Sequence, residues 1–203
     1  MSGMGLGFGK MGQMGGPGTP GGSVVAAPNL IPNSNNFAVW ALSNAAVPTT
    51  GVSDPDGGTD AWLFVDSAPG GSGATRLRSV GITTNVATPH VLSVWVDPLT
   101  IDWWFMAWSA GSIIAVQYFD LSLGVPGVVQ NDVDSAIMTL DGDFYRCEMR
   151  FTTDAVDTAG LVDFRHASAD VNSTVPLDGT SNLNIWRAKL EEGTAATPWI
   201  DGP

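Results

Sequence analysis

The chain has 203 residues, 44 % of them hydrophobic and eight of them tryptophan, enough to bury a sizeable core and to exclude global disorder. Only 14 % is charged, against roughly 25 % in a typical soluble domain, a balance that suits a surface covered by other chains. A formal net charge of −12, with few and mostly isolated Lys and Arg, excludes nucleic acid as a partner and disfavours anionic membranes, since both require clustered cations.

The first 22 residues carry glycine at positions 3, 5, 7, 9, 12, 15, 16, 18, 21 and 22, four of the seven methionines, and no acidic residue. Glycine loses too much backbone entropy for such a segment to fold alone. Bare backbone between Met4, Leu6, Phe8, Met11 and Met14 suits insertion into a groove of another protein, with methionine adapting to an irregular surface. The alternative is a plain flexible leader. Gly7-x-Gly9-x-x-Gly12 matches a dinucleotide fingerprint only in form, because no strand precedes it and no helix follows. The start lacks the basic and continuous apolar segments of a signal peptide, so synthesis in a cytoplasm is expected. Gly15 to Pro28 reads as a linker, which gives an arm over residues 1–28 and a body over 29–203.

From Asn29 onward, short apolar runs alternate with turn residues. Strands are expected at Ala61–Asp66, Thr75–Val80, Thr88–Val96, Asp102–Trp108, Ser112–Leu121, Ala136–Leu140, Asp143–Phe151, Leu161–His166 and Asn182–Leu190. No stretch shows sustained helical spacing, so the fold class is all-β, an antiparallel sandwich or barrel. Before the first of these strands, Asp54, Asp56 and Asp60 flank Gly57 and Gly58 in one turn. Oxygen ligands at that spacing suit calcium, although Asp-Pro-Asp-Gly is also an ordinary turn and no other cofactor is suggested.

Trp103 to Phe119 is apolar enough to be mistaken for a membrane span, but Ser109 to Ser112 and Gln117 interrupt it and a hairpin explains it better. Consecutive aromatics in a strand point to opposite faces, so one of Trp103 and Trp104 must leave the core. Trp103, Trp104 and Trp108 are therefore the candidates for stacking on a sugar, against the alternative that this face packs on a neighbouring subunit. Cys147, the sole cysteine, alternates with Tyr145, Met149 and Phe151 as a buried thiol would. His90 and His166 lie in strands without a Ser or Cys motif beside them, so no catalytic residue is assigned and a non-enzyme is expected. Asn172-Ser-Thr174 is a glycosylation sequon, without meaning in a protein that is not secreted.

The ending alternates Trp186, Ala188 and Leu190 on one side with Ile185, Arg187 and Lys189 on the other, and Trp199-Ile200 pins the end of the chain to a core. With the opening Asn29-Leu-Ile-Pro-Asn-Ser34, which looks like a first strand, Trp40, the Asp54-Pro-Asp-Gly-Gly-Thr-Asp-Ala61 loop and Phe144-Tyr-Arg146, this ending resembles the lectin-like, carbohydrate-binding-module-type jelly-roll domains of bacteriophage structural and tail-fibre proteins. Trp186, Leu190, Glu191, Gly193, Ala196, Thr197 and Ile200 match that family's closing strand and turn, whereas Lys189 stands where glutamine is more usual.

The resemblance implies a jelly roll on a virion and leaves the ligand open. The expectation is a surface decoration or short fibre, joined to capsid or tail proteins by its arm, homo-oligomeric with a trimer as the guess, and adhering to host glycans. A purely architectural cement protein without a ligand is the alternative, and a glycan-degrading enzyme the third reading.

Overall fold

The computed structural model describes residues 25–203. Their strands form two six-stranded antiparallel sheets and one small pair. In the order of its ladder, the first sheet contains β1 (Ala41–Ser43), β5 (Arg76–Thr83), β12 (Ala159–Ala167), β7 (Trp103–Ser109), β8 (Ile114–Asp120) and β9 (Val125–Pro126). The second contains β10 (Ser135–Asp141), β11 (Phe144–Thr152), β6 (Pro89–Pro98), β14 (Asn182–Glu192), β3 (Ala61–Val65) and β2 (Thr49–Val52). The pair is β13 (Val175–Pro176) with β4 (Ser72–Gly73), and a single 3₁₀ turn spans Phe37–Val39. All nine strands expected from alternation are present, and the apolar run at 103–119 is the β7–β8 hairpin.

The two sheets pack face to face as a β-sandwich. Alternate residues of β7 and β12 (Trp104, Met106, Trp108, Val162, Phe164) meet alternate residues of β6, β11 and β14 (Leu92, Val94, Cys147, Met149, Phe151, Ile185, Leu190) in one core. Two aromatic pairs bridge the sheets: Trp108 stacks on Phe151 at 5.7 Å, and Phe64 meets Trp104 edge-on at 6.4 Å. Trp104 and Trp108 are wholly buried here, so two of the three expected sugar-stacking rings present no face to a ligand. His166 is buried in the same core, where desolvation pushes its pKa down to about 3 and keeps it neutral.

Two expectations about the ends of the body are corrected. First, β14 does not alternate throughout. Arg187 occupies the left-handed region at φ 49° in a bulge between Trp186 and Lys189, and the extra residue reverses the phase of the strand. Ile185, Ala188 and Leu190 therefore face the core, while Trp186, Lys189 and Glu191 share the outer face. Second, Asn29–Ser34 forms no ladder, because Pro32 lacks an N–H and the chain turns at Asn33 (φ 51°). It runs beside β14 instead. Asn29 Nδ2 donates to the carbonyls of Ala188 (2.9 Å) and Ile200 (3.1 Å), and its Oδ1 accepts the N–H groups of Ile31 and Leu190.

The closing segment, residues 193–203, folds back over the outer face of β14. Beneath it Lys189 Nζ lies 3.0 Å from Glu191 Oε2, both side chains fully buried. Thr197 completes the pair: its Oγ1 accepts from Lys189 at 2.7 Å and donates to Glu191 Oε2, and its N–H donates to Glu191 Oε1 at 2.8 Å. Pro198 lends its carbonyl to Lys189 at 2.8 Å. A buried ion pair persists only with its remaining donors and acceptors satisfied in this way.

Candidate functional site

The outer face of the first sheet carries a groove of about 480 Å³. Strand alternation builds it, since the residues between the core-facing ones must point outward: Arg76 and Arg78 from β5, Asp163 and Arg165 from β12, Phe105, Ala107 and Ser109 from β7, Val116 and Tyr118 from β8. The register sets them in two rows. Arg78, Asp163, Ala107 and Val116 stand opposite one another across four strands, and Arg76, Arg165, Phe105 and Tyr118 do the same one step along. The small side chain of Ala107 makes the depression, with Phe105, Tyr118 and Arg165 on one side and Ser109, Ile114 and Leu161 on the other.

Charge is concentrated at one point of this face. Asp163 Oδ2 receives Arg165 Nη2 at 2.6 Å and Nε at 3.2 Å, Arg78 Nη2 at 3.0 Å, and has Arg76 Nε at 3.4 Å. The carboxylate is almost completely buried, whereas the three arginine side chains stay 21–30 % exposed. Asp163 Oδ1 has no hydrogen-bond partner, nor have the buried Nε groups of Arg76 and Arg78, among the described residues. The Arg165 guanidinium also lies 4.5 Å over the Phe105 ring, which Tyr118 meets edge-on at 5.1 Å. Burial raises the Tyr118 hydroxyl above its ordinary pKa against a hydrogen bond with Ser173, so it is neutral and can donate.

Of the predicted stacking residues, Trp103 alone joins this face, half-buried against Phe105, Ala107, Tyr118 and Ala167. The arginines and Asp163 were missed as a site, although Arg76-Leu-Arg78 and Asp163-Phe-Arg165 place like positions of two strands on one side. In a chain that is only 14 % charged, four charged side chains at that spacing were the available signal.

Asp54, Asp56 and Asp60 do not converge on a common point. Asp54 Oδ1 accepts the N–H groups of Asp56 (2.9 Å) and Gly58 (3.0 Å), and Oδ2 accepts that of Asp60 (2.9 Å). Burial alone would raise the Asp54 carboxyl, but these three donors outweigh it and hold the pKa below the usual value. Asp56 instead pairs with Arg187 at 2.6 Å, and no group of three or more His, Cys, Asp or Glu suited to a metal ion occurs among the described residues. The turn works as a self-capped loop. The proposed anchoring residues Met4, Leu6, Phe8, Met11 and Met14 lie outside the described residues.

Beside that loop, a second pocket of about 300 Å³ is lined by Asp97, Asp143, Phe144 and Asn184. Asn184 Nδ2 donates to Asp97 Oδ2 at 2.8 Å. Burial raises the Asp97 carboxyl pKa, the Asn184 hydrogen bond opposes this, and Asp143 adds to it. A carboxyl whose folded-state pKa is raised costs stability once it ionises, and the cost disappears as pH falls from the raised pKa to the ordinary one. Asp97→Asn is therefore expected to raise the thermal midpoint at pH 7 by about 1–3 °C, and thermal melts from pH 7.5 to 4 should show that advantage shrinking. An unchanged midpoint at pH 7 would show that Asp97 is solvated.

No family model matches the chain, and no characterised protein matches it in sequence. A solved structure that it resembles is the enzymatically active domain of tailspike protein 4 of bacteriophage CBA120, at 12 % identity and a TM-score of 0.48, over 81 % of this chain and 21 % of that one. The chain thus spans about a fifth of the length of that structure. Because that neighbour is described as enzymatically active, the expectation of a non-enzyme is withdrawn. No helix among the described residues is long and apolar enough to cross a membrane.

Proposed function

We propose that this chain is a bacteriophage virion component whose body is a jelly roll and whose sheet-face groove adheres to glycans of the host surface. Residues 1–28 act as the arm that fixes the body to a capsid or tail protein, and the assembled form is a symmetric oligomer, a trimer. The resemblance of the opening, the Asp54 turn and the closing strand to phage lectin-like domains supports the setting. The observation that carries the adhesive reading is the groove itself: partly exposed guanidinium groups held by one buried carboxylate beside an aromatic pair. Guanidinium N–H groups supply directed donors to sugar oxygens, and the exposed Ile114 supplies apolar contact at the other end of the groove.

Arg165→Ala removes both the donor and the cation over Phe105, while Arg76 and Arg78 still neutralise Asp163. Loss of a charge-assisted hydrogen bond of roughly 1.5–3 kcal/mol predicts binding to host cells weakened at least about tenfold. Binding of labelled full-length protein to the cell surface measures it, with a thermal melt to confirm folding. A folded variant that binds as well as the parent would remove the groove from the reading.

A further inference from the structure

The adhesive reading leaves the class of glycan open, and the charge of the groove narrows it. Three of the eight Lys and Arg of a chain with net charge −12 converge here on one carboxylate, so the cluster itself carries 3 − 1 = +2. Two acidic groups border it without joining it: Asp120 caps Ser122 and Leu123, and Asp170, whose charge acts on the Tyr118 hydroxyl, accepts the Val128 N–H. The other sheet carries a smaller cluster of the same kind, in which Arg146 and Arg150 flank Glu148 for 2 − 1 = +1, while Arg187 is paired with Asp56 and stacked on Trp186 and Trp199.

Each guanidinium presents five N–H donors, and one carboxylate oxygen cannot occupy three such groups. Arg76 Nε only approaches Asp163 Oδ2, at 3.4 Å, and Arg78 reaches that oxygen through one Nη2 alone, so the exposed parts of the guanidinium groups keep donors for a ligand oxygen. An acidic protein that holds three guanidinium groups around a single fixed carboxylate has cationic donors in excess, preorganised for an anion. Asp163 acts here as a positioning residue, fixing the planes of Arg78 and Arg165 over the groove.

We infer that the groove selects acidic glycans, with the paired oxygens of a sugar-borne anion, carboxylate or phosphate, seated on the guanidinium edges of Arg78 and Arg165. This rests on the proposed adhesion and specifies its ligand. Planar, bidentate recognition of either anion is what arginine supplies and lysine does not.

The test uses full-length protein against three immobilised probes: a polygalacturonate, its carboxyl-reduced neutral counterpart, and a glycerol-phosphate polymer. At least one acidic polymer is expected to bind about tenfold or more tightly than the neutral one, with that preference lost in Arg78→Gln and weakened about tenfold between 50 and 300 mM salt. Which acidic polymer binds identifies the anion. Equal binding of neutral and acidic polymers, or binding indifferent to salt, overturns the inference and leaves adhesion standing. Failure of both acidic polymers while host cells are still bound also overturns it, and loss of cell binding as well removes the adhesive reading with it.

Discussion

Glu191→Gln is expected to lower the unfolding free energy by about 3–5 kcal/mol, because it strands the Lys189 ammonium in a site with no access to water. The substitution keeps the shape of the side chain and leaves an oxygen for the Thr197 N–H. Its new amide N–H₂ cannot compensate the positive charge 3.0 Å away. Lys189→Met combined with Glu191→Leu should recover most of the loss, since two apolar groups need no partners. Chemical denaturation of the parent, the single and the double variant separates these contributions. A single variant within about 1 kcal/mol of the parent would show that residues 193–203 do not seal the pair in solution. The same arrangement accounts for a fully buried lysine at position 189, which is tolerated because Glu191, Thr197 and Pro198 together satisfy it.

Gly160→Ala is the second large effect, and it reaches the groove. A Cβ on residue 160 would lie 2.4 Å from the Trp108 ring and 2.7 Å from the Ser109 carbonyl oxygen, inside any real contact distance. Trp108 cannot yield, being fully buried and stacked on Phe151, so β12 must move away from β7. Overpacking of this kind costs about 3 kcal/mol. The same displacement slides Asp163 and Arg165 past Ala107 and Phe105, so the proposed glycan binding should fall together with stability. Equilibrium unfolding and cell-surface binding measured on one preparation test both. Unchanged stability would mean that the chain at Gly160 is looser than the sandwich requires, and weakened stability with full binding would uncouple the groove from this register.

Most of the sandwich was legible because its long strands alternate cleanly between core and surface. In β7, Trp104, Met106 and Trp108 against Trp103, Phe105 and Ala107 is a period-two pattern that assigns every face once one residue is placed. The short pieces β1, β2, β4, β9 and β13 were not legible, since two to four residues carry no period. Nor was the reversal in β14: nothing at Trp186-Arg187-Ala188 announces a bulge, and Arg187 accepts a positive φ while its guanidinium lies 3.8 Å over the Trp186 ring. The site was obscured by an assumption about hydrophobicity. Tryptophan was sought at the surface, although burial of Trp104 and Trp108 is far more favourable, while the arginines of β5 and β12 read as isolated charges. Pairing of β5 with β12 and of β12 with β7 is long-range information, and only it turns four scattered charges into one cluster.

The tie between the opening and closing segments has a further consequence. Asn33 N–H reaches the Pro203 carbonyl at 3.0 Å, Gly202 N–H reaches Ser34 Oγ at 2.9 Å, and Ala27 N–H reaches Thr197 at 2.8 Å. The sandwich therefore starts and finishes at one spot, like a bead whose two threads leave through the same hole. Such a unit can be spliced into a loop of another protein, or its ends joined and new ones opened at the Asp54 turn, without prising the sheets apart. Its groove-bearing sheet would travel with it intact, which makes the fold a portable cassette.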